Sequence, residues 1–218
     1  MDGPLQLTCA SSVGPQPAAH AFSRDGELLA VAVGSGAVQL YCVQGGSLTP
    51  LTTLSEHSQQ VSAMDWSASG LLVTCSHDRM CYVWQRTVSG RGHSPHSPHS
   101  PHSPPQAGSD TWTPQSVLTR LQRAALCVAW SPCERRFAVG SGAKNCCVCA
   151  WEPDHNWWLG RMIRKHHGSS LLCLAWHPGA VWLATGCADR KCRVFCAGDA
   201  SQPGARAAEV AWRPRGAR

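Results

Sequence analysis

Apolar residues in this chain alternate with polar ones or come in bursts of four to six, and short polar turns interrupt them. No segment sustains the 3.6-residue period of a helix, so the pattern predicts short antiparallel strands joined by turns. Ser131-Pro132 and His177-Pro178-Gly179 follow equivalent strands, and such residues preset turn geometry. The hydrophobic pattern therefore predicts an all-β fold.

Four stretches of this pattern are versions of one another: His20–Tyr41, Val61–Trp84, Ala125–Trp151 and Leu171–Phe195. Their opening aromatic residues are separated by 44, 64 and 46 residues, and they are Phe22, Trp66, Trp130 and Trp176. A period in the mid-forties is that of a four-stranded propeller blade. The repeats thus predict a partial β-propeller over residues 1–196. Its four blades are expected at about 18–43, 55–86, 118–152 and 165–196.

The one long spacing contains an insertion at 86–110 with the sequence GHSPHSPHSPHSPP. This tract has no apolar residue to bury, which predicts a disordered or polyproline-II loop between the second and third repeats. Residues 197–218 are rich in Gly, Ala and Arg and lack the repeat pattern. We expect them to form a poorly ordered tail.

Composition narrows the class of protein further. The 218 residues are 43% hydrophobic, which is enough to bury the core of one domain. The net charge of +6 permits acidic partners, but no basic run is dense enough to predict nucleic-acid binding. We expect no membrane span, because no apolar stretch reaches 18 residues, and no secretion, because the first residues do not form a signal peptide.

Thirteen cysteines are present, and most of them replace small apolar residues inside predicted strands. Free cysteine behaves as a small buried hydrophobe, so this pattern favours a reduced, cytoplasmic protein over a disulfide framework. The cysteines expected in the core are Cys75, Cys81, Cys127, Cys147, Cys149, Cys173, Cys187 and Cys192.

The second repeat places His57, Thr74, Asp78 and Trp84 at the offsets of the structural tetrad of WD repeats. In that tetrad an indole N–H, a hydroxyl, an imidazole and a carboxylate form one buried chain of hydrogen bonds. Buried polar groups need such partners, and a complete network fixes the register of the blade.

The fourth repeat keeps His167, Thr185 and Asp189 at matching offsets, but Phe195 replaces the tryptophan. The third repeat has Leu121 where the histidine belongs. A His-Thr-Asp set is also compatible with catalysis, yet its recurrence and the lack of a nucleophile or oxyanion loop favour a structural role. We therefore expect no catalytic residue, no enzyme activity and no cofactor.

Metal binding is the weaker interpretation of two other patterns. The histidines of the His-Ser-Pro tract would lie about 9 Å apart in a polyproline helix, too far for two of them to share an ion. Cys146 and Cys149 form a CxxC pair upstream of three histidines, but the alternation of Cys147 and Cys149 favours strand packing. The serines of the tract each precede a proline, so phosphorylation is an alternative to an inert linker.

An aromatic and basic cluster follows the third repeat and is a candidate partner surface. It comprises Trp157, Trp158, Arg161, Arg164 and Lys165. Exposed Trp and Arg are typical anchors of interfaces. Adjacent residues of a strand point to opposite faces, so the alternative is that one tryptophan packs between blades.

Several strings resemble one family in order: Glu56–Trp66, Leu71–Trp84, Leu118–Lys144, Asn156–Lys165 and Leu174–Phe195. They are similar to subunit 1 of the actin-related protein 2/3 complex, and the resemblance covers roughly residues 20–196. It implies a non-enzymatic WD40 propeller in the complex that nucleates branched actin filaments, located in the cytoplasm and the cytoskeleton. The implied partners are the other subunits of that complex, nucleation-promoting factors and the actin filament.

The family propeller has seven blades, and this sequence predicts about four. We therefore expect a truncated relative without the late insertion by which the family contacts the mother filament. A generic WD40 adaptor that no longer joins the complex is the alternative. A metal- or nucleic-acid-binding protein, the third class, depends only on the His tract and the positive charge.

Overall fold

The computed structural model describes residues 17–88, 110–197 and 209–210. Their strands form four four-stranded antiparallel sheets, each built from strands that are consecutive in the chain. Apart from one 3-10 turn at Pro153–His155, these residues contain no helix, and none that could span a membrane. The predicted all-β, propeller-type fold class is confirmed, and we refer to the sheets as blades one to four.

The strands are numbered in chain order, four to a blade. Blade one contains β1 (Ala19–Phe22), β2 (Leu28–Val33), β3 (Ala37–Gln44) and β4 (Ser47–Leu54). Blade two contains β5 (Val61–Trp66), β6 (Leu72–Ser76), β7 (Cys81–Val88) and β8 (Asp110–Val117). Blade three contains β9 (Ala125–Trp130), β10 (Arg136–Ser141), β11 (Cys146–Glu152) and β12 (Trp157–Ile163). Blade four contains β13 (Leu171–Trp176), β14 (Trp182–Cys187), β15 (Cys192–Cys196) and β16 (Glu209–Val210).

The His-Ser-Pro tract occupies a different place from the one expected. It joins β7 to β8 inside blade two and does not separate the second and third repeats. An ion pair closes the base of this connection, because Arg86 Nη2 lies 2.6 Å from Asp110 Oδ2. The expectation failed because β8 is polar and contains Pro114, which hid an outer strand where proline is tolerated. The tract itself, 89–109, lies outside the described residues.

The outer strands were also missing from the other predicted blades. Each predicted blade contains the first three strands of an observed sheet, and the fourth strand follows it. In blade four this strand is Glu209–Val210, which pairs with β15 and lies within the segment expected to be an unordered tail. The remaining residues of that tail are outside the described part of the chain.

The core consists of three apolar clusters, and each lies between two neighbouring blades. Ala30, Leu40 and Met64 belong to the cluster between blades one and two. Val83 and Phe137 belong to the large cluster between blades two and three. Because alternate residues of a strand point to opposite faces, every interior sheet contributes to two clusters. Burial of each such side chain contributes about 1.5–3 kcal/mol, so the blades are held mainly by one another.

A tryptophan at the end of the first strand joins each blade to the preceding one. The indole N–H of Trp66 donates to the carbonyl of Ala21 at 3.1 Å, and that of Trp130 donates to the carbonyl of Asp65 at 3.1 Å. Trp176 repeats the contact with Ala129 at 3.0 Å. The periodic tryptophans of the sequence are therefore anchors between blades, each with its buried donor satisfied.

The twelve cysteines of the described residues are all free thiols. Six of the eight that we expected in the core are buried, but Cys173 and Cys192 are exposed. Both lie on the face of blade four that points away from blade three. Among the described residues no further sheet covers that face, which explains why an alternation typical of a core leaves these thiols accessible.

Candidate functional site

Blade two contains the complete hydrogen-bonded chain that the sequence predicted. His57 Nδ1 lies 3.0 Å from Asp78 Oδ2, and His57 Nε2 lies 2.8 Å from Thr74 Oγ1. The indole N–H of Trp84 donates to the same hydroxyl at 3.0 Å. A carboxylate only accepts, so Nδ1 carries the imidazole proton and the Thr74 hydroxyl donates to Nε2. All the side-chain donors of the chain are thereby used.

Local backbone geometry brings these four residues together. His57 lies in the connection that enters blade two, Thr74 lies on β6 and Trp84 on β7. Asp78 occupies the turn between β6 and β7, where its carboxylate accepts the N–H of Met80 at 2.8 Å. It also accepts the N–H of Ser58 at 3.0 Å. The network therefore ties the connection from blade one to the hairpin of blade two.

Burial and hydrogen bonding shift the titration of this pair. Burial lowers the pKa of His57 below its ordinary value, although the neighbouring Asp78 partly offsets the effect. Burial alone would raise the pKa of Asp78, but hydrogen bonds from Met80 N–H and from His57 lower it overall. The neutral imidazole beside a carboxylate is thus the stable form in the folded chain.

Folding stability should consequently decrease as the pH falls below 6.5, the ordinary pKa of histidine. The unfolded chain binds a proton at His57 before the folded chain does, which favours unfolding in acid. We expect the free energy of unfolding to fall from about pH 7.5 to about pH 5.5, by at most about 1.4 kcal/mol per pH unit from this group. Urea denaturation across this range would measure it.

The His57→Gln variant provides the control for this pH dependence. Burial raises the pKa of Asp65, so that carboxyl acts in the opposite direction and loses stability as the pH rises. Asp65 is present in both proteins, and the difference between their slopes therefore isolates His57. Equal slopes for wild type and variant would contradict the assignment.

Blade four contains a partial version of the same network. His167 Nε2 lies 2.9 Å from Thr185 Oγ1, and Asp189 accepts the N–H of Gly168 at 2.8 Å. Phe195 replaces the tryptophan, and its ring centroid lies 5.6 Å from that of His167. Asp189 also pairs with Arg193 at 2.9 Å, and this contact is the main reason that the pKa of its carboxyl is lowered.

The cysteine and histidine pattern of blade three is divided between two faces. Cys147 and Cys149 have their sulfur atoms 3.7 Å apart and pack toward blade two. Cys146 packs toward blade four, so the two thiols of the CxxC pair do not share a face. Within the part of the chain that the structure describes, no three His, Cys, Asp or Glu residues are grouped so as to hold a metal ion.

The candidate partner surface contains one tryptophan and not two. Trp158 is 4% exposed, and its indole N–H donates to Gln115 Oε1 at 3.1 Å. Its inclusion in a surface is therefore corrected, since alternation along β12 turns it toward blade two. Trp157 is 38% exposed on the opposite face, where Leu159, 50% exposed, accompanies it. The same alternation could have identified Leu159 in the sequence.

The basic members of this cluster are also accessible. Arg161 is exposed on the same face of β12 as Trp157, and Arg164 and Lys165 are exposed just after the strand. We use the name aromatic–basic patch for Trp157, Leu159, Arg161, Arg164 and Lys165. It presents an apolar area beside three cations, a combination that suits an acidic or amphipathic protein partner.

Comparison with known proteins defines the class first. The WD domain, G-beta repeat family matches residues 48–85 and 158–196. Together with four consecutive antiparallel sheets, this match makes the chain a WD40-repeat protein with propeller-type blades. Each matched segment starts with the outer strand of one blade and continues into the next blade, so the sequence repeat and the blade are out of phase.

More specific relatives are all named as subunits of one complex. The chain is 43% identical over 178 residues to actin-related protein 2/3 complex subunit 1A of Arabidopsis thaliana, covering 81% of this chain and 42% of the relative. It is 37% identical over 185 residues to subunit 1 of Schizosaccharomyces pombe, covering 84% and 44%. Subunit 1A-B of Xenopus laevis is 35% identical over 179 residues, covering 82% and 43%.

These identities confirm the resemblance found in the sequence. Within the WD40-repeat proteins, the chain is a relative of subunit 1 of the actin-related protein 2/3 complex. It spans less than half the length of the curated relatives that it matches.

Proposed function

We propose that this chain is a non-catalytic structural subunit of the actin-related protein 2/3 complex and supports nucleation of branched actin filaments. The observation that carries the proposal is the 35–43% identity to subunits of that name over more than four fifths of the chain. Its partners would be the other subunits of the complex and the actin filament. Its location would be the cytoplasm and the cytoskeleton.

The non-catalytic assignment is supported by how the polar side chains are used. His57, Thr74, Asp78 and Trp84 bond to one another and to nearby backbone, with His57 and Thr74 buried. Groups committed to a buried structural network are not available to a substrate. A role in holding partners together needs only a rigid scaffold and an accessible surface.

We assign partner contact to the aromatic–basic patch. Trp and Arg are enriched among the residues that dominate binding energy at interfaces, and here both are accessible on one strand. Leu159 extends the apolar area between Trp157 and Arg161, because the three side chains alternate onto one face of β12. The patch therefore offers a continuous contact along the outer edge of blade three.

Co-purification of the tagged chain from cells tests both proposals. We expect the actin-related subunits to co-purify in stoichiometric amounts with the wild-type chain. A W157A/R161A double variant should lower their recovery strongly, because anchors of this kind often contribute about 2 kcal/mol or more. Phe22→Ala is the matched control, since Phe22 is also an exposed aromatic, 56% accessible, but lies on blade one.

The results separate the function from the surface. Recovery that is unaffected by the double variant would show that the patch is not the contact. A soluble, folded wild-type chain without the actin-related subunits would overturn the complex assignment and favour the generic WD40 adaptor. That adaptor is the alternative because the chain spans only 42–44% of these relatives.

A further inference from the structure

The outer face of blade four repeats a surface that is already used inside the molecule. On blade three, six residues form the face against which blade four packs: Cys127, Ala129, Ala138, Gly140, Cys146 and Val148. Each has a counterpart of the same amino-acid type 46 residues later. We call these counterparts the free face of blade four: Cys173, Ala175, Ala184, Gly186, Cys192 and Val194.

The two faces differ in what covers them. Cys127 is 7% exposed and Cys146 is fully buried on blade three, whereas Cys173 and Cys192 are exposed on blade four. A Cβ at Gly140 would lie 2.9 Å from the Cβ of Leu171 in the next blade. The only atoms found within 4 Å of a Cβ at Gly186 belong to Cys173, a residue of its own blade.

The strand that covers the face of blade three shows what such a face accepts. Leu171, Leu174 and Trp176 of β13 pack there with the rest of the apolar cluster. The indole N–H of Trp176 donates to the carbonyl of Ala129 at 3.0 Å. By the repeat, Ala175 presents the equivalent carbonyl on the free face.

The same junction occurs three times, and the arriving strand always has one form. An apolar residue stands two positions before the tryptophan, as Met64 precedes Trp66 and Val128 precedes Trp130. Each of these tryptophans donates its indole N–H to the preceding blade. An apolar-x-Trp strand is thus the common occupant of this type of face.

The first strand of this chain does not have that form. His20 and Phe22 occupy the corresponding positions on β1, and both are exposed. Phenylalanine has no N–H for the carbonyl of Ala175, and burial of His20 against an apolar sheet without a partner is unfavourable. A second copy of the chain is accordingly a poor occupant of the free face.

We propose that the free face of blade four binds a WD40-type blade of another polypeptide, through a first strand that ends in apolar-x-Trp. The indole of that strand would donate to the carbonyl of Ala175, and its apolar side chain would pack at Gly186. The inference goes beyond the proposed function, because it concerns completion of the propeller and not docking onto actin-related subunits.

A designed donor made from the chain itself tests this binding without any cellular partner. The donor carries H20L and F22W, which create an apolar-x-Trp strand, and A175E, which blocks its own free face. Mixed with the wild-type chain, it should form a 1:1 complex in sedimentation equilibrium. Alkylation of Cys173 in the wild-type partner, followed by mass spectrometry, should become at least about tenfold slower on burial of the thiol.

Matched variants locate the contact. A wild-type partner changed to A175E should not bind the donor, whereas L159E, which adds a carboxylate at an exposed strand position of blade three, should bind normally. The A175E chain with native His20 and Phe22 should not act as a donor. A second donor, H20M/F22W/A175E, copies the first strand of blade two in case the leucine version does not fold, and circular dichroism verifies folding.

Two results would overturn the proposal. One is the lack of a complex between folded donors and wild type, with Cys173 equally reactive in both samples. The other is binding by the A175E chain with native His20 and Phe22, which would make a second copy the occupant. Because only purified chains are used, neither result depends on whether the actin-related subunits are bound in cells.

Discussion

The Thr74→Val variant is expected to lose about 2–4 kcal/mol of folding stability although valine has nearly the shape of threonine. Thr74 is fully buried, and its hydroxyl is the only link between His57 and Trp84 in the network. Its removal leaves an imidazole nitrogen and an indole N–H in the interior without the partner they had. Each unsatisfied buried group costs about 1–3 kcal/mol.

Equilibrium urea denaturation would measure this loss, and Thr185→Val is its matched control. Thr185 is also fully buried and bonds to His167, but Phe195 supplies no indole donor to its hydroxyl. We expect the control to lose about 1–3 kcal/mol, less than Thr74→Val. Equal losses at the two positions would show that the Trp84 bond adds nothing to the network of blade two.

Replacement of Trp130 by alanine should have the largest effect on stability, about 3–5 kcal/mol. The ring is 3% exposed and contacts Phe137 and Trp158 at centroid distances of 5.2 and 5.5 Å. It also carries the hydrogen bond to Asp65 that joins blade three to blade two. Its loss opens a cavity in the largest apolar cluster of the chain.

Chemical denaturation of two further variants separates packing from the hydrogen bond. Trp130→Phe keeps much of the ring volume but removes the N–H, and we expect it to retain more stability than the alanine variant. Phe22→Ala removes the corresponding aromatic of blade one, which is exposed, and should change stability by less than about 0.5 kcal/mol. A loss at Phe22 similar to that at Trp130 would contradict the role of the tryptophan as an anchor between blades.

Much of the fold could be predicted because the strongest signals repeat. The tetrad offsets placed His57 against Thr74 and Asp78, and the structure has these contacts at 2.8 and 3.0 Å. The spacing of the tryptophans indicated blade length, because each tryptophan makes the same contact with the preceding sheet. Both signals are local in sequence and carry a fixed geometry with them.

The outer strands could not be predicted, because they lack the alternation that marks half-buried strands. Strands β4 and β8 contain Pro50 and Pro114 and expose many of their side chains. Such positions tolerate polar residues and proline, so the sequence there resembles a loop. The connection through the His-Ser-Pro tract was consequently placed between blades instead of within one.

The exposure of Cys173 and Cys192 was beyond sequence reasoning for a different reason. Their strands alternate like those of blade three, where Cys127 and Cys146 are buried. Whether such a thiol is buried depends on the next sheet and not on its own strand. Periodicity identifies the face of a strand, but a neighbouring blade decides whether water reaches that face.

Each described strand pairs only with strands that adjoin it in the chain, and each blade contacts only the blades before and after it. Arrays connected in this way behave as nearly one-dimensional systems, in which stability is a sum of unit and neighbour terms. An interior blade gains two neighbour terms, and blades one and four gain one each within the described chain. Local opening should therefore begin at the ends of the array and be least frequent in blades two and three, which also contain the complete polar network.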